Sequence, residues 1–259
     1  MSIAILSPKT RLSILLFLCA ALLANQGRAT AADAPSGEIE QARGTTHLPV
    51  LVPGGDLAEK ALRLSPGNPS RQERREALRR LDTIAARIRA VLPAGATTQE
   101  SLEVVNRMLF EQEGFRGTMG LEDPRSLSIE ALLDEKKGTC VSLVILYLSV
   151  LDRLGIPAEA AATPVHLFVR IESATGTLNV ETLEGGRLLT EEDYRRRNRM
   201  TDGSIERGIF MKALPRAAVL AHLLSNRGVI SARAGRHRRA MRDFREALNL
   251  KFRQILPPS

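Results

Sequence analysis

Lys137-Gly138-Thr139-Cys140-Val141-Ser142-Leu143 opens the stretch around which the chain is organised. A glycine, a capping residue and a cysteine lead straight into a long apolar run. Leu143, Val144, Leu146, Tyr147, Leu148, Val150, Leu151 and Leu154 make the predicted helix apolar nearly all round, so it belongs in a core. Gly155 ends it and Ile156-Pro157 leads out. Cys140 therefore stands where a buried helix begins, beside backbone N–H groups that favour an anion.

After this helix the texture changes. Residues 158–162 and 164–171 read as extended, with Val165, Leu167, Val169 and Ile171 alternating against His166, Phe168 and Arg170. Ala174-Thr175-Gly176 is a turn. A second strand over 177–183 sets Leu178 and Val180 against Asn179 and Glu181, and the two strands read as an antiparallel hairpin. A cysteine attacks as its thiolate, which needs help to form at neutral pH. A helix N-terminus, an imidazolium partner and an acid that orients the imidazole supply such help. His166 and Glu181 are the candidates for the last two. Asn179 shares the expected face of Glu181 and offers an amide in its place. Taken singly, each has an ordinary reading: a small buried thiol, a satisfied strand histidine, an acid paired to an arginine. Their order on helix start, strand and strand favours reading them together.

Upstream, Leu78, Leu81, Ile84, Ala85, Ile88 and Val91 repeat at helical spacing within an amphipathic helix over 71–91. Thr98 is placed to cap a second helix with Leu102, Val105 and Leu109 buried. Glu113-Gly114-Phe115-Arg116-Gly117 is a turn that tucks a ring inward. Ser128 caps a short helix ending near Gly138. Thr190-Glu191-Glu192-Asp193 is another helix start.

Composition narrows the function classes. Apolar residues make up 44% of the 259, enough for a real core, whereas aromatics are 3% and tryptophan is absent. That argues against a carbohydrate cleft or a base-stacking surface, so no nucleic-acid partner is expected. There is no glycine-rich phosphate loop and no Cys-x-x-Cys. The four histidines, His47, His166, His222 and His237, are too scattered for a metal set. Neither cofactor nor metal is expected.

The first 31 residues read as a secretory signal: Lys9 and Arg11, an apolar run from Leu12 to Ala24, then Ala29-Thr30-Ala31. The run is short for a bilayer span. Retained, it would be an anchor and the chain's one link to a membrane; cleaved, it makes the protein periplasmic or secreted. Cleavage also removes Cys19 and leaves Cys140 as the only cysteine, with no internal disulfide. It takes away Lys9, Arg11 and Arg28 as well, so the formal charge of +8 shrinks to a mild basic excess, read as solvated helical faces. Residues 32–70 are rich in Pro, Gly, Ser and Thr and are expected to be a linker. From Pro215 two helical segments follow. Asn226, Gly228, Gly235, Ala240, Phe244 and Ala247 have the spacing of one tetratricopeptide unit.

Together these motifs resemble the transglutaminase-like superfamily, in the bacterial branch with a tetratricopeptide-like helical tail. The resemblance rests on Leu109-Phe110 with Gly114-Phe115-Arg116-Gly117, Leu133 through Gly138-Thr139-Cys140, and Leu154-Gly155-Ile156-Pro157. Pro164-Val165-His166-Leu167-Phe168-Val169-Arg170 and Asn179-Val180-Glu181 with Gly185-Gly186 complete it. It implies an α+β fold: a papain-like core, with the cysteine-bearing helix on a small antiparallel sheet, a helical N-terminal lobe and a C-terminal helical hairpin. The expected boundaries are 1–31 signal, 32–70 linker, 71–200 transglutaminase-like domain and 215–252 helical tail. By resemblance Cys140 is the nucleophile, His166 its base and Glu181 the orienting acid, although the family usually has aspartate there. The implied activity is acyl transfer at an amide or peptide bond of a protein or peptide substrate, as a protease, deamidase or transglutaminase. The rival reading is a catalytically silent scaffold that holds a partner protein or peptide through its helical tail. A redox thiol is a weaker third, since no second cysteine would resolve it.

Overall fold

In the computed structural model, residues 55–252 are described, apart from Arg199 and Ile209. The signal expected over 1–31 and the front of the linker lie outside the described residues. Within the stretch read as a linker, the structure forms a helix instead, α1 (Leu57–Arg63). The Asp56 carboxylate starts it by accepting from the N–H groups of Ala58 and Glu59. Leu57, Ala58, Ala61 and Leu62 are buried in the main core. Seven residues are too few for a helical period to stand out from the Pro- and Gly-rich sequence around them.

Three more helices precede the central one. α2 (Arg71–Val91) begins at a capping box in which Ser70 and Glu73 satisfy each other's backbone N–H. Leu81, Ile84, Ala85 and Ile88 face the core, whereas Val91 is exposed. α3 (Thr98–Asn106) is capped by Thr97 with Glu100, one residue earlier than expected, and continues as a π-helical turn, Arg107–Gln112. β1 (Arg116–Gly117) follows, with Phe115 buried just before it. α4 (Ile129–Glu135) is capped by the Ser128 hydroxyl and ends at Lys136, a left-handed residue with φ 60°. That reversal brings β2 (Lys137–Gly138) alongside β1 in parallel.

The central helix α5 (Cys140–Leu154) is buried from Val141 through Leu151 and ends at Gly155, φ 77°. It packs against α1, α2 and α4 and against one face of a five-stranded antiparallel sheet. The strands are β3 (Glu159–Ala162), β4 (Leu167–Ser173), β5 (Gly176–Glu181), β6 (Arg187–Leu189) and β7 (Ala213–Leu214), in the order β6-β5-β4-β3-β7. Side-chain alternation sorts the sheet's two faces into two cores. Ala160, Leu167, Val169, Ile171 and Val180 join the main core with α5. Ala161, Phe168 and Leu189 form a second, smaller core with Tyr194 and Met211. Tyr194 lies on α6 (Glu191–Asn198), which Thr190 and Asp193 start by bonding each other's N–H.

A short helix α7 (Asp202–Glu206) precedes β7. The last two helices, α8 (Arg216–Arg233) and α9 (His237–Phe252), form an antiparallel hairpin. Gly228 lies against the Phe244 ring, where a Cβ would come within 2.6 Å of a ring carbon. Val219, Leu220, Leu223 and Ile230 of α8 belong to the main core, so the hairpin shares the core of the rest. The chain is thus α+β, with the cysteine-bearing helix set against an antiparallel sheet.

Candidate active site

Cys140 is the first residue of α5 and is partly exposed. Thr139 occupies the N-cap position but makes no side-chain cap bond. Its hydroxyl reaches the Ser126 carbonyl at 3.5 Å, and Ser142 donates to the same oxygen at 2.8 Å. The expected cap therefore does not close over the first turn, and the partial positive charge of the helix start is left facing the thiol. Gly138 makes this approach fit: a Cβ there would stand 2.5 Å from Ser142 Oγ.

His166 occupies the turn between β3 and β4, which the Thr163 N–H closes by donating to the His166 carbonyl at 2.9 Å. The strand expected from residue 164 begins only at Leu167, so His166 stands at the end of the sheet, with Val165 beside it exposed. Glu181 ends β5. The Val169–Val180 pair sets the register, and one step further Glu181 falls opposite Phe168, at the end of the sheet where the His166 turn lies.

The structure brings all three side chains together. Nε2 of His166 lies 2.7 Å from Glu181 Oε2, and the Cys140 side chain is near enough to the imidazole to strengthen its hold on a proton. With Nε2 engaged by the acid, Nδ1 is the nitrogen left for the thiol. His166 and Glu181 side chains are only 15% and 4% exposed, so the pair is shielded from water. Burial pulls the His166 pKa down. Hydrogen bonds to Cys140 and Glu181, and the charges of both, outweigh it and raise the value to about 9. Glu181, not Asn179, meets the ring; the Asn179 amide donates instead to the Leu189 carbonyl at 3.3 Å.

Three further donors and supports are not evident from the sequence. The Leu183 N–H donates to Glu181 Oε1 at 2.9 Å, because the chain turns into a 3-10 segment, Thr182–Glu184, just after the acid. Tyr194 donates its hydroxyl to Glu181 Oε2 at 3.1 Å. Asn106 fixes the turn itself: its amide donates to the Gly186 carbonyl at 2.8 Å and its oxygen accepts from buried Tyr147 at 2.7 Å. Among the described residues no cluster of His, Cys, Asp and Glu could hold a metal ion.

A helix-start thiol beside an imidazole that is itself bonded to a buried carboxylate is a fit arrangement for a nucleophile and its base. The chain belongs to the transglutaminase-like superfamily, whose family model matches residues 75–225, more than half of its length. It is also similar to UPF0162 proteins of Xylella fastidiosa strains Temecula1 and 9a5c. Each is 30% identical over 147 residues, covering 54% of this chain and 52% of the relative. The chain spans about half the length of these curated relatives. No solved structure matches it.

Proposed function

We propose that the protein is an exported cysteine enzyme that transfers an acyl group from an amide or peptide bond through Cys140, His166 and Glu181. The single observation that carries the reading is the Glu181–His166 hydrogen bond set beside Cys140 at the uncapped start of α5. Family membership supports the class of chemistry, and the signal-like residues 1–31 support export.

In this mechanism His166 takes the Cys140 proton, and the sulfur attacks the amide carbonyl carbon. The carbonyl π electrons move to oxygen, and the Cys140 backbone N–H at the helix start is a donor for that developing charge. The imidazolium then gives its proton to the departing nitrogen, the C–N bond breaks, and an acyl thioester remains on Cys140. Water or an amine attacks the thioester, His166 accepts the attacking group's proton and returns it to sulfur, and the thiol is restored. Glu181 holds the ring in place and balances its positive charge. A protein or peptide is the substrate class that fits.

An activated ester, p-nitrophenyl acetate, tests this step without a known substrate. Intact-mass analysis should find an acetyl group on Cys140, none in Cys140→Ala, and at least tenfold slower labelling in His166→Ala. No adduct, or equal labelling without His166, would remove the proposal.

The rival reading, partner binding by the helical tail, has one observation in its favour. Met241 and Leu248 are 60% and 41% exposed on the outer side of α9, among exposed Arg238, Arg242 and Arg245. It predicts that a partner peptide binds Cys140→Ala as tightly as the native chain.

A further inference from the structure

We propose that Tyr194 is a positioning residue for Glu181: its hydroxyl shares the carboxylate oxygen that faces His166 and so limits how tightly the imidazole holds its proton. The inference rests on the acyl-transfer reading, since only a shuttle must release that proton. Four observations place it. Tyr194 donates to Oε2, the same oxygen that His166 Nε2 approaches. The ring is 1% exposed and stacks on Phe168, with centroids 4.0 Å apart and planes at 18°, so the hydroxyl is held where it points. It also lies nearly parallel to His166, 6.5 Å away. Thr163, at the start of the turn that carries His166, bonds Asn198 of the same helix at 3.0 Å. One helix, α6, therefore steadies both the acid and the histidine turn.

A carboxylate oxygen with two donors offers each less negative charge than it would offer one alone. His166 already binds its proton tightly, with Cys140 facing it from α5 and Glu181 from β5. The further charge felt at this corner is Arg197 of α6, ion-paired to Glu184. Without the Tyr194 hydroxyl the carboxylate would serve the imidazolium alone. The proton would then be held harder, and its transfer to the leaving nitrogen would slow. Burial and the neighbouring Glu181 charge both keep the phenol protonated, so it remains a donor at every pH at which the site works.

Tyr194→Phe keeps the ring stack and removes only the hydroxyl. The His166 titration, followed by NMR in the full chain, should move upward by about half to one unit, roughly three- to tenfold tighter proton binding. The same substitution in a Glu181→Gln chain should leave the midpoint where Glu181→Gln alone puts it. Fluorotyrosine at 194, a stronger donor, should move the midpoint down and keeps the test open if the Phe variant folds poorly. No movement in Tyr194→Phe, or equal movement without the carboxylate, overturns the inference. His166 titrates whether or not Cys140 forms an adduct, so this failure and a failure of the acyl-transfer reading are read separately.

Discussion

Glu181 is a buried carboxylate with three donors around it, Leu183 N–H, Tyr194 O–H and His166 Nε2, and with Cys140 it is one of the two groups that raise the histidine's pKa. Glu181→Gln should lower the His166 pKa from about 9 towards its ordinary 6.5, which an NMR titration reads directly. The same shift appears in stability. The folded value exceeds the unfolded one, so the native state binds the proton more tightly. That stabilisation is complete below pH 6.5 and is lost as the pH rises through 9. Urea midpoints should fall across this window in the native chain and fall less in Glu181→Gln. Helix start and strand alternation made the places of Cys140 and Glu181 legible in the sequence, whereas His166, expected on a strand from residue 164, stands in the turn before β4. Tyr194 was not legible: it sits among acids and arginines on a short helix, and no local pattern shows that it turns inward to a carboxylate thirteen residues earlier in the chain.

At the scale of elements, the site depends on the turn after β5. Asn106 at the end of α3 grips Gly186, and Tyr147 of α5 holds Asn106 in return. Gly117 of β1 lies so close to this turn that a Cβ would come within 2.8 Å of the Leu183 backbone. Asn106→Ala leaves a buried hydroxyl and a carbonyl unpaired and should cost about 1–3 kcal/mol in urea unfolding. It should also slow Cys140 acetylation, because the turn that delivers Leu183 N–H to Glu181 is loosened. Gly117→Ala should act in the same direction, through backbone that cannot step aside. The periodic helices α2 and α5 could be read from their apolar spacing alone. β1 and β2 could not, since two-residue strands carry no period and form only because the left-handed Lys136 returns the chain beside Arg116. The exposed Val165 escaped for a related reason: apolar alternation continued through a turn that the Thr163–His166 bond closes.

Across the whole molecule, arginines tie the helical hairpin and the first helix to the core. Arg153 of α5 reaches Asp56 and Asp82, each at 2.6 Å, and Arg216 of α8 reaches Asp152 at 2.6 Å. Arg227 holds Asp243 at 2.7 Å and also donates to the Leu64 carbonyl beyond α1. Asp243 is almost wholly buried, so Arg227→Ala strands a charge and should cost about 3 kcal/mol or more. Adding Asp243→Asn should recover part of that loss, as measured by chemical denaturation. The sequence marked the tail as two helices with small residues between them. It did not show that α8 would enter the main core, because sequence spacing predicts which face is apolar and not what that face meets.

The central claim is that His166 activates Cys140. The measurement that tests it most directly is the rate of Cys140 alkylation by iodoacetamide against pH, in the native chain and in His166→Ala. An ordinary thiol titrates near 8.5 and is mostly protonated at neutral pH. The account predicts rapid alkylation of the native chain at pH 7, at least tenfold faster than in His166→Ala, with the two rates converging above about pH 9.5. Rates that coincide at every pH, or a native thiol slower than a free cysteine, would contradict it.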